Sequence, residues 1–514
     1  MVVSPEERYP VFDQLQARML GNYRDWQQNY DDESVVVVPS VSLDLIGGRS
    51  GTMMQAYEER FLFMLLLLRQ PRLRVVYVTS MPIAPTIIEY YLALLAGVIP
   101  SHAQARLSLV SIGDATPRPL SQKLLERPQM LRRIAALIPN RVRCHLIPYN
   151  TTETEVDIAV SLGIPMYGAD PRLNHLGTKT GGRRLFEEEG VRHPIGREDL
   201  HSVDELADAV VSLRAERPSM AEMIVKLNEG VSGMGNALLD LRGLPAPGAE
   251  TERDAVSARL GSLEPEGEGV TVEDHLAKLP EWGGIVEERI TGAELRSPSV
   301  QLRVLPDGEV ELLSTHDQVL GGPSGQSYLG CRFPADPAYA PAICAAARTI
   351  GERLAREGVL GRFALDFVVV RDEAGRWSEY AIEINLRKGG TTHPFLTLQF
   401  LTNGRYDEDS GAYLTADGRE KHLVATDHLE AGSLRALAVD DLFDVVARNE
   451  LHFDQTRQEG VVFHMISCLT ESGRIGLTAV GDTADHADEI YGRAEKTLVS
   501  EAEAALEELS IPPP

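Results

Sequence analysis

Four short β-branched runs mark the first third of the chain: VVVVPS from Val35 to Ser40, VVYVTS from Val75 to Ser80, LSLVSIG from Leu107 to Gly113 and CHLIPY from Cys144 to Tyr149. Helical patterns separate them. Continuous apolar strands alternating with helices predict a parallel sheet covered on its faces, a Rossmann-like opening domain. The longest apolar run, Phe61 to Leu68, lies between Arg60 and Arg69 and is far shorter than the roughly 20 residues of a membrane span. It predicts a buried helix.

Near Asp170 the pattern changes. A helix is expected from about Thr180, with Leu185 and Phe186 inward, Gly190 as its stop and Pro194 beyond. The stretch Arg242 to Gly269 is rich in Gly, Pro and Glu and reads as a surface excursion with one short helix. After Phe400 come a helix at Asp441 to Arg448, a strand at Val461 to Leu469 and an acidic terminal helix. The divisions expected are an opening domain at 1–172, a middle domain at 173–400 and a smaller C-terminal α+β domain at 401–514, which suits a 514-residue chain too long for one core.

The most regular pattern is the hairpin Gly361 to Gly390. With its turn centred between Ala374 and Gly375, Leu365, Phe367 and Val369 fall opposite Ile384, Ile382 and Tyr380, all on one face. The same register sets Asp366 opposite Glu383, with Asn385 two residues on and therefore on their face. Carboxylates about 5 Å apart destabilise one another unless a cation neutralises them. Two carboxylates and an amide oxygen make a hard oxygen set suited to magnesium carrying phosphates; the plain alternative is two solvated acids on a wet face.

Composition narrows the partners. With 50 basic and 76 acidic residues the net charge is -26, which repels nucleic acid over most of the surface and leaves a phosphate-bearing small molecule, held by a local group of cations. Lys226, set among Ile224, Val225 and Leu227, needs an anion if buried. Gly230, Gly233 and Gly235 behind it would let backbone N–H groups approach phosphate, with the Ser232 hydroxyl as a further donor. SLDLIGGRSG, after the first strand, has glycines but neither the dinucleotide fingerprint nor a Walker loop; substrate contact from a loop at the carboxyl end of a strand is the alternative to cofactor binding there. Cys144, Cys331, Cys344 and Cys468 have no metal-ligand spacing. Reduced thiols, the absence of a signal segment and the absence of a span together make a cytoplasmic protein the expectation.

Asp366 followed by Glu383-Ile-Asn385 and a basic, Gly-rich turn resembles the metal-binding end of ATP-grasp enzymes, and MIVKLNEGVSGMGNALL at Met223 resembles their phosphate lysine and mobile loop. Lys179 stands where the family carries its other phosphate lysine, and GGIVEERITGAEL resembles its interdomain hinge. The resemblance implies a Rossmann-like pre-ATP-grasp domain, an ATP-grasp fold and a C-terminal domain. It implies ATP and two magnesium ions as cofactors, with Glu288 and the backbone at Ile290 meeting adenine and Glu294 meeting ribose. Glu287 is given to a surface ion pair. THDQVLGG, YLGCRFP and EINLRKGGTTHP are most similar to the pheganomycin-type peptide ligases. Asn385-Leu-Arg-Lys-Gly replaces the usual N-x-x-P-G, which bears on the substrate side. The implied activity is an ADP-forming ligation of a small-molecule or peptide carboxylate to an amine through an acyl phosphate. Arg387 and Arg332 are the candidates for stabilising the tetrahedral oxyanion. A small-molecule kinase and a non-catalytic nucleotide-binding regulatory module are the alternatives, and homo-oligomerisation is left open.

Overall fold

The structure is a computed structural model that describes residues 5–26, 32–42, 50–230, 235–266, 269–321 and 327–510. The opening sheet consists of β1 (Ser34–Val38), β2 (Arg74–Thr79), β3 (Leu107–Ser111) and β4 (Cys144–Pro148), all parallel in the order β3-β2-β1-β4. Every residue of β1 and β4 is buried, as expected of strands covered on both faces. Val36 and Val38 point into one core with Val76, Leu146 and Ile158; Val35 and Val37 point into another with Phe61, Leu65 and Leu68. The run at Phe61 is a buried helix, wound tightly as a 3₁₀ helix over Arg60–Arg69. Most of SLDLIGGRSG lies outside the described residues.

The middle of the chain forms β5 (Gly196–Leu200), β6 (Glu222–Leu227), β7 (Asn236–Asp240), the two-residue β8 (Glu264–Pro265) and β9 (Gly284–Glu288), ordered β5-β9-β6-β7-β8. The Arg242–Gly269 excursion carries its single helix at Glu252–Leu260. A larger antiparallel sheet follows: β10 (Glu294–Arg296), β11 (Pro298–Val304), β12 (Val310–Gly321), β13 (Ser327–Phe333), β14 (Gly361–Arg371) and β15 (Trp377–Asn385). After a small pair, β16 (Arg405–Asp407) with β17 (Ala412–Leu414), come β18 (His422–Glu430), β19 (Gly460–His464) and β20 (Arg474–Gly481). These last three continue the large sheet, β18 pairing with β13 and β20 lying between β18 and β19. Their inward residues Leu423, Val461 and Ile475 share the core that holds Phe61 and Val35, so the C-terminal strands and the opening sheet clamp the Arg60–Arg69 helix between them. The Ala484–Ser510 helix closes the chain.

The four cysteines are buried and unpaired. No helix among the described residues is long and apolar enough to cross a membrane.

The clamp buries two acids. Glu58 accepts hydrogen bonds from the Ser80 backbone N–H (2.7 Å) and hydroxyl (2.6 Å), and Glu59 accepts from the N–H groups of Ile466 and Ser467. Burial pushes each up to about 7. Because both stand above the ordinary glutamate range, the native state holds protons that the unfolded chain releases. Their contribution to stability is therefore complete at low pH and is lost as pH rises through about 7. Thermal melts of wild type should drop by about 2–4 °C between about pH 5 and about pH 8 relative to the Glu58→Gln/Glu59→Gln variant; parallel curves would contradict this assignment.

Candidate active site

The β14–β15 hairpin carries the two acids. Asp366 lies directly opposite Glu383, and Leu365 opposite Ile384, as the pattern requires. Beyond that point the expected register is displaced: a bulge follows Asp366, so that Phe367 pairs with Ala381 and Val369 with Glu379. Ile382 is the extra residue, only half-buried, and the inward position belongs to Ala381. The bulge leaves the acidic pair intact. On the other side of β14, Ser299 faces Asp366 in register and hydrogen-bonds to it, and Gln318 of β12 donates to Oδ1 at 3.2 Å. Asn385 donates to Asp366 Oδ2 at 3.0 Å.

Three cations from separate elements set the field here. Lys179 opens the Lys179–Glu188 helix, capped by Thr178, whose hydroxyl accepts from Gly181 N–H at 3.0 Å; its ammonium pairs with Glu383. Asn228, just past β6, ties that helix down by accepting from Thr180 N–H at 2.9 Å. Burial would raise Glu383, but Lys179, Arg387 and Lys226 outweigh it and hold the group below its ordinary range. Asp366 goes the other way, pushed up to about 6 by burial and by the Glu383 charge. The pair is thus half-neutralised by protein cations, and a hard divalent cation on the same oxygens would relieve what remains.

Lys226 is buried and pairs with Glu287 at 2.5 Å, and Arg183 holds the other Glu287 oxygen at 3.0 Å. Glu287 is 2% exposed, so its expected surface ion pair is a buried one. Strand parity explains the outcome. Met223, Val225 and Leu227 of β6 pack with Val286 in the core beneath the sheet, which sends Lys226 and Glu287 to the other face and turns Glu288 away from them. Glu288 is held by Arg217 on the opposite side. Of the two adjacent acids expected at the hinge, Glu287 is the one that shares the lysine's face. Ile290 follows two residues beyond β9, half-buried. Glu294 starts β10 and is engaged by Arg296 at 2.7 Å and Arg371 at 2.6 Å, outside the cation–carboxylate cluster.

Gly230 and Gly235 bracket the glycine loop. Gly235 has φ +98°, a conformation that glycine alone adopts without strain, and a Cβ there would meet Glu229 O at 3.0 Å. Its carbonyl accepts from Leu227 N–H at 2.8 Å and closes the base of the loop. Ser232 and Gly233 lie outside the described residues.

The two arginines separate. Arg387 sits beside the acids: its charge acts on Asp366 and Glu383, and also on Tyr149 at the carboxyl end of β4. Arg332 does not join them. It lies on β13, three strands from β14, is half-exposed, and pairs with Asp488 of the terminal helix at 2.9 Å. Of the two arginines expected at the oxyanion, it is the one placed away from the acids, in a surface ion pair. Lys388, passed over in the sequence, is buried, donates to Pro148 O at 2.5 Å and is pushed down to about 7 by burial. It anchors the Arg387 turn to the end of β4. Its place in the basic run after Asn385 was the available signal.

A partly buried acid pair flanked by three cations has the charge and donor set to take a polyphosphate and its metal. Comparisons with known proteins agree with that class. The family model described as IQCH-like, ATP-grasp matches residues 171–259 and 270–409, and the PGM1 C-terminal domain model matches 441–494. The chain is 30% identical over 449 residues to L-propargylglycine--L-glutamate ligase of Streptantibioticus cattleyicolor, covering 86% of this chain and 89% of that one. It is 26% identical over 365 residues to IQ motif-containing protein H of Danio rerio, covering 62% of this chain and 34% of that longer protein. Among solved structures, the biotin carboxylase–ATP analogue complex from Campylobacter jejuni superposes with a TM-score of 0.51 at 14% identity, covering 92% of this chain and 95% of that one, a likeness of fold. The chain belongs to the ATP-grasp superfamily of carboxylate–amine ligases, in its pheganomycin-type peptide ligase family, and is an ATP-dependent enzyme forming carbon–nitrogen bonds.

Proposed function

We propose that the enzyme activates a carboxylate as an acyl phosphate and passes it to an amine, releasing ADP and phosphate. The observation that carries this reading is the Asp366–Glu383 pair held in the field of Lys179, Lys226 and Arg387. Asp366, Glu383 and Asn385 would hold two magnesium ions, whose contribution is to neutralise charge on the β- and γ-phosphates. Lys179, Lys226 and the N–H groups of the Gly230–Gly235 loop take the rest of the phosphate charge, and Glu294 is the acid available to a ribose.

A carboxylate oxygen of the substrate bonds to the γ-phosphorus as its bond to ADP breaks, a step governed by alignment and charge. The amine nitrogen then bonds to the acyl carbon, the carbon–oxygen bond to phosphate breaks with its electron pair, and the nitrogen loses a proton to solvent. Arg387 faces the oxyanion formed between these events. The named relative joins two amino acids, so amino acids and short peptides are the first acids and amines to test.

Incubation with ATP, magnesium, candidate acids and hydroxylamine should yield ADP, phosphate and a hydroxamate in equal amounts, and an amide when an amine replaces hydroxylamine. A phosphorylated stable product would instead make the chain a kinase, and AMP with pyrophosphate would refute the acyl-phosphate route.

A further inference from the structure

Behind the Arg387 turn lies a second polar centre that the ligase chemistry does not use. His393 is in the first turn of the Thr392–Thr402 helix, Asp427 is on β18 and His464 ends β19; their exposures are 4%, 3% and 3%. Three atoms converge there. His393 Nε2 lies 3.0 Å from His464 Nε2, His464 Nε2 lies 2.8 Å from Asp427 Oδ1, and His393 Nε2 lies 3.3 Å from the same oxygen.

Hydrogen bonds alone do not account for this triangle. Each Nε2 has one in-plane valence, a proton or a lone pair. With both protonated, two protons face each other; with one protonated, the remaining lone pair faces either the carboxylate oxygen or its counterpart. With Asp427 ionised, one repulsive contact persists in each of these arrangements. A single cation among the three atoms satisfies them all at once. Ligands about 2.0–2.2 Å from one ion stand about 2.8–3.6 Å apart at octahedral to tetrahedral angles, and the observed edges of 2.8, 3.0 and 3.3 Å fall within that range.

The surroundings hold two of these groups in place. His464 lies over Gly476, its partner in register on β20, where a Cβ would stand 2.1 Å from Nε2. Arg60 grips the other Asp427 oxygen and fixes the carboxylate from behind.

We propose that His393, Asp427 and His464 form a binding site for one transition cation of the zinc class, separate from the magnesium site at Asp366. Two imidazoles and one carboxylate select such an ion over magnesium, which prefers an all-oxygen set. The ion joins β18 and β19 to the helix that follows the Arg387 turn, so it braces the active-site turn.

Full-length protein, stripped with a chelator and titrated with cobalt(II) in excess magnesium, should take up about one equivalent and develop the visible d–d bands of a nitrogen-ligated ion. Metal analysis of protein isolated from zinc-supplemented cells should give the same stoichiometry. His393→Gln and His464→Gln should each weaken uptake by about tenfold or more, whereas Glu383→Gln and Asp482→Asn, the latter an exposed residue clustered with Glu459 and His486, should leave it unchanged. Wild type without visible bands overturns the proposal whatever the variants do. So does undiminished uptake by the histidine variants, or loss of uptake in Glu383→Gln or Asp482→Asn. The binding readout is independent of ligase activity, so failure here leaves the acyl-phosphate reading standing.

Discussion

Glu383→Gln should lower turnover by about 10³-fold or more while the protein still folds. The side chain keeps its size, and its amide oxygen can still accept from Lys179, so that buried ammonium retains a partner. The change also relieves Asp366 of a like charge directly across the hairpin, which offsets the lost ion pair. Tm is therefore expected within a few degrees of wild type. Catalysis has no such offset if the proposed role holds, because the removed charge is the one assigned to the metal and phosphates. ADP release and thermal melting on the same preparation decide the matter. Turnover within tenfold of wild type would remove Glu383 from the metal set.

The hairpin also shows how far alternation along a sequence carries. Asp366 opposite Glu383 follows from the turn and from the apolar pair Leu365–Ile384, and it holds because the bulge comes after them. The segment Tyr380-Ala-Ile-Glu-Ile has apolar residues at both parities, and small Ala381 is the one that packs inward. Alternation has no means of choosing between Ala381 and Ile382 when both are apolar. The opening sheet was easier to read, since β-branched runs buried on both faces need no parity.

Adjacent Glu287 and Glu288 pose the same difficulty with charge at stake. One faces Lys226 and the other Arg217, and what decides between them is the packing of Val286 into the core below. Arg332 and Asp488 are far apart in the chain, as are β13 and β18, which join the C-terminal strands to the large sheet. Such partners are chosen by tertiary packing, so local pattern is silent about them. The nearness of Arg387 to the acids was legible because it lies two residues from Asn385, although β15 ends there and the turn is held by the end of β4.

Lys226→Met should reduce kcat/KM for ATP by about 10²-fold, the scale of losing one charge-assisted contact to a phosphate in a site closed to water. Methionine fills the space of the lysine stem, but Glu287 loses one of its two cations. Arg183 still holds it at 3.0 Å, so the loss of stability should be about 1–3 kcal/mol rather than the larger cost of stranding a buried charge. Lys226→Met/Glu287→Gln then separates the two roles of the lysine. Removing the partner charge should restore most of the lost Tm, because no unpaired ion remains. It should not restore the affinity for ATP, because glutamine offers a triphosphate no positive charge. Recovery of activity together with stability in the double variant would mean that Lys226 only balances Glu287, and the phosphate contact would have to be reassigned to Lys179 alone.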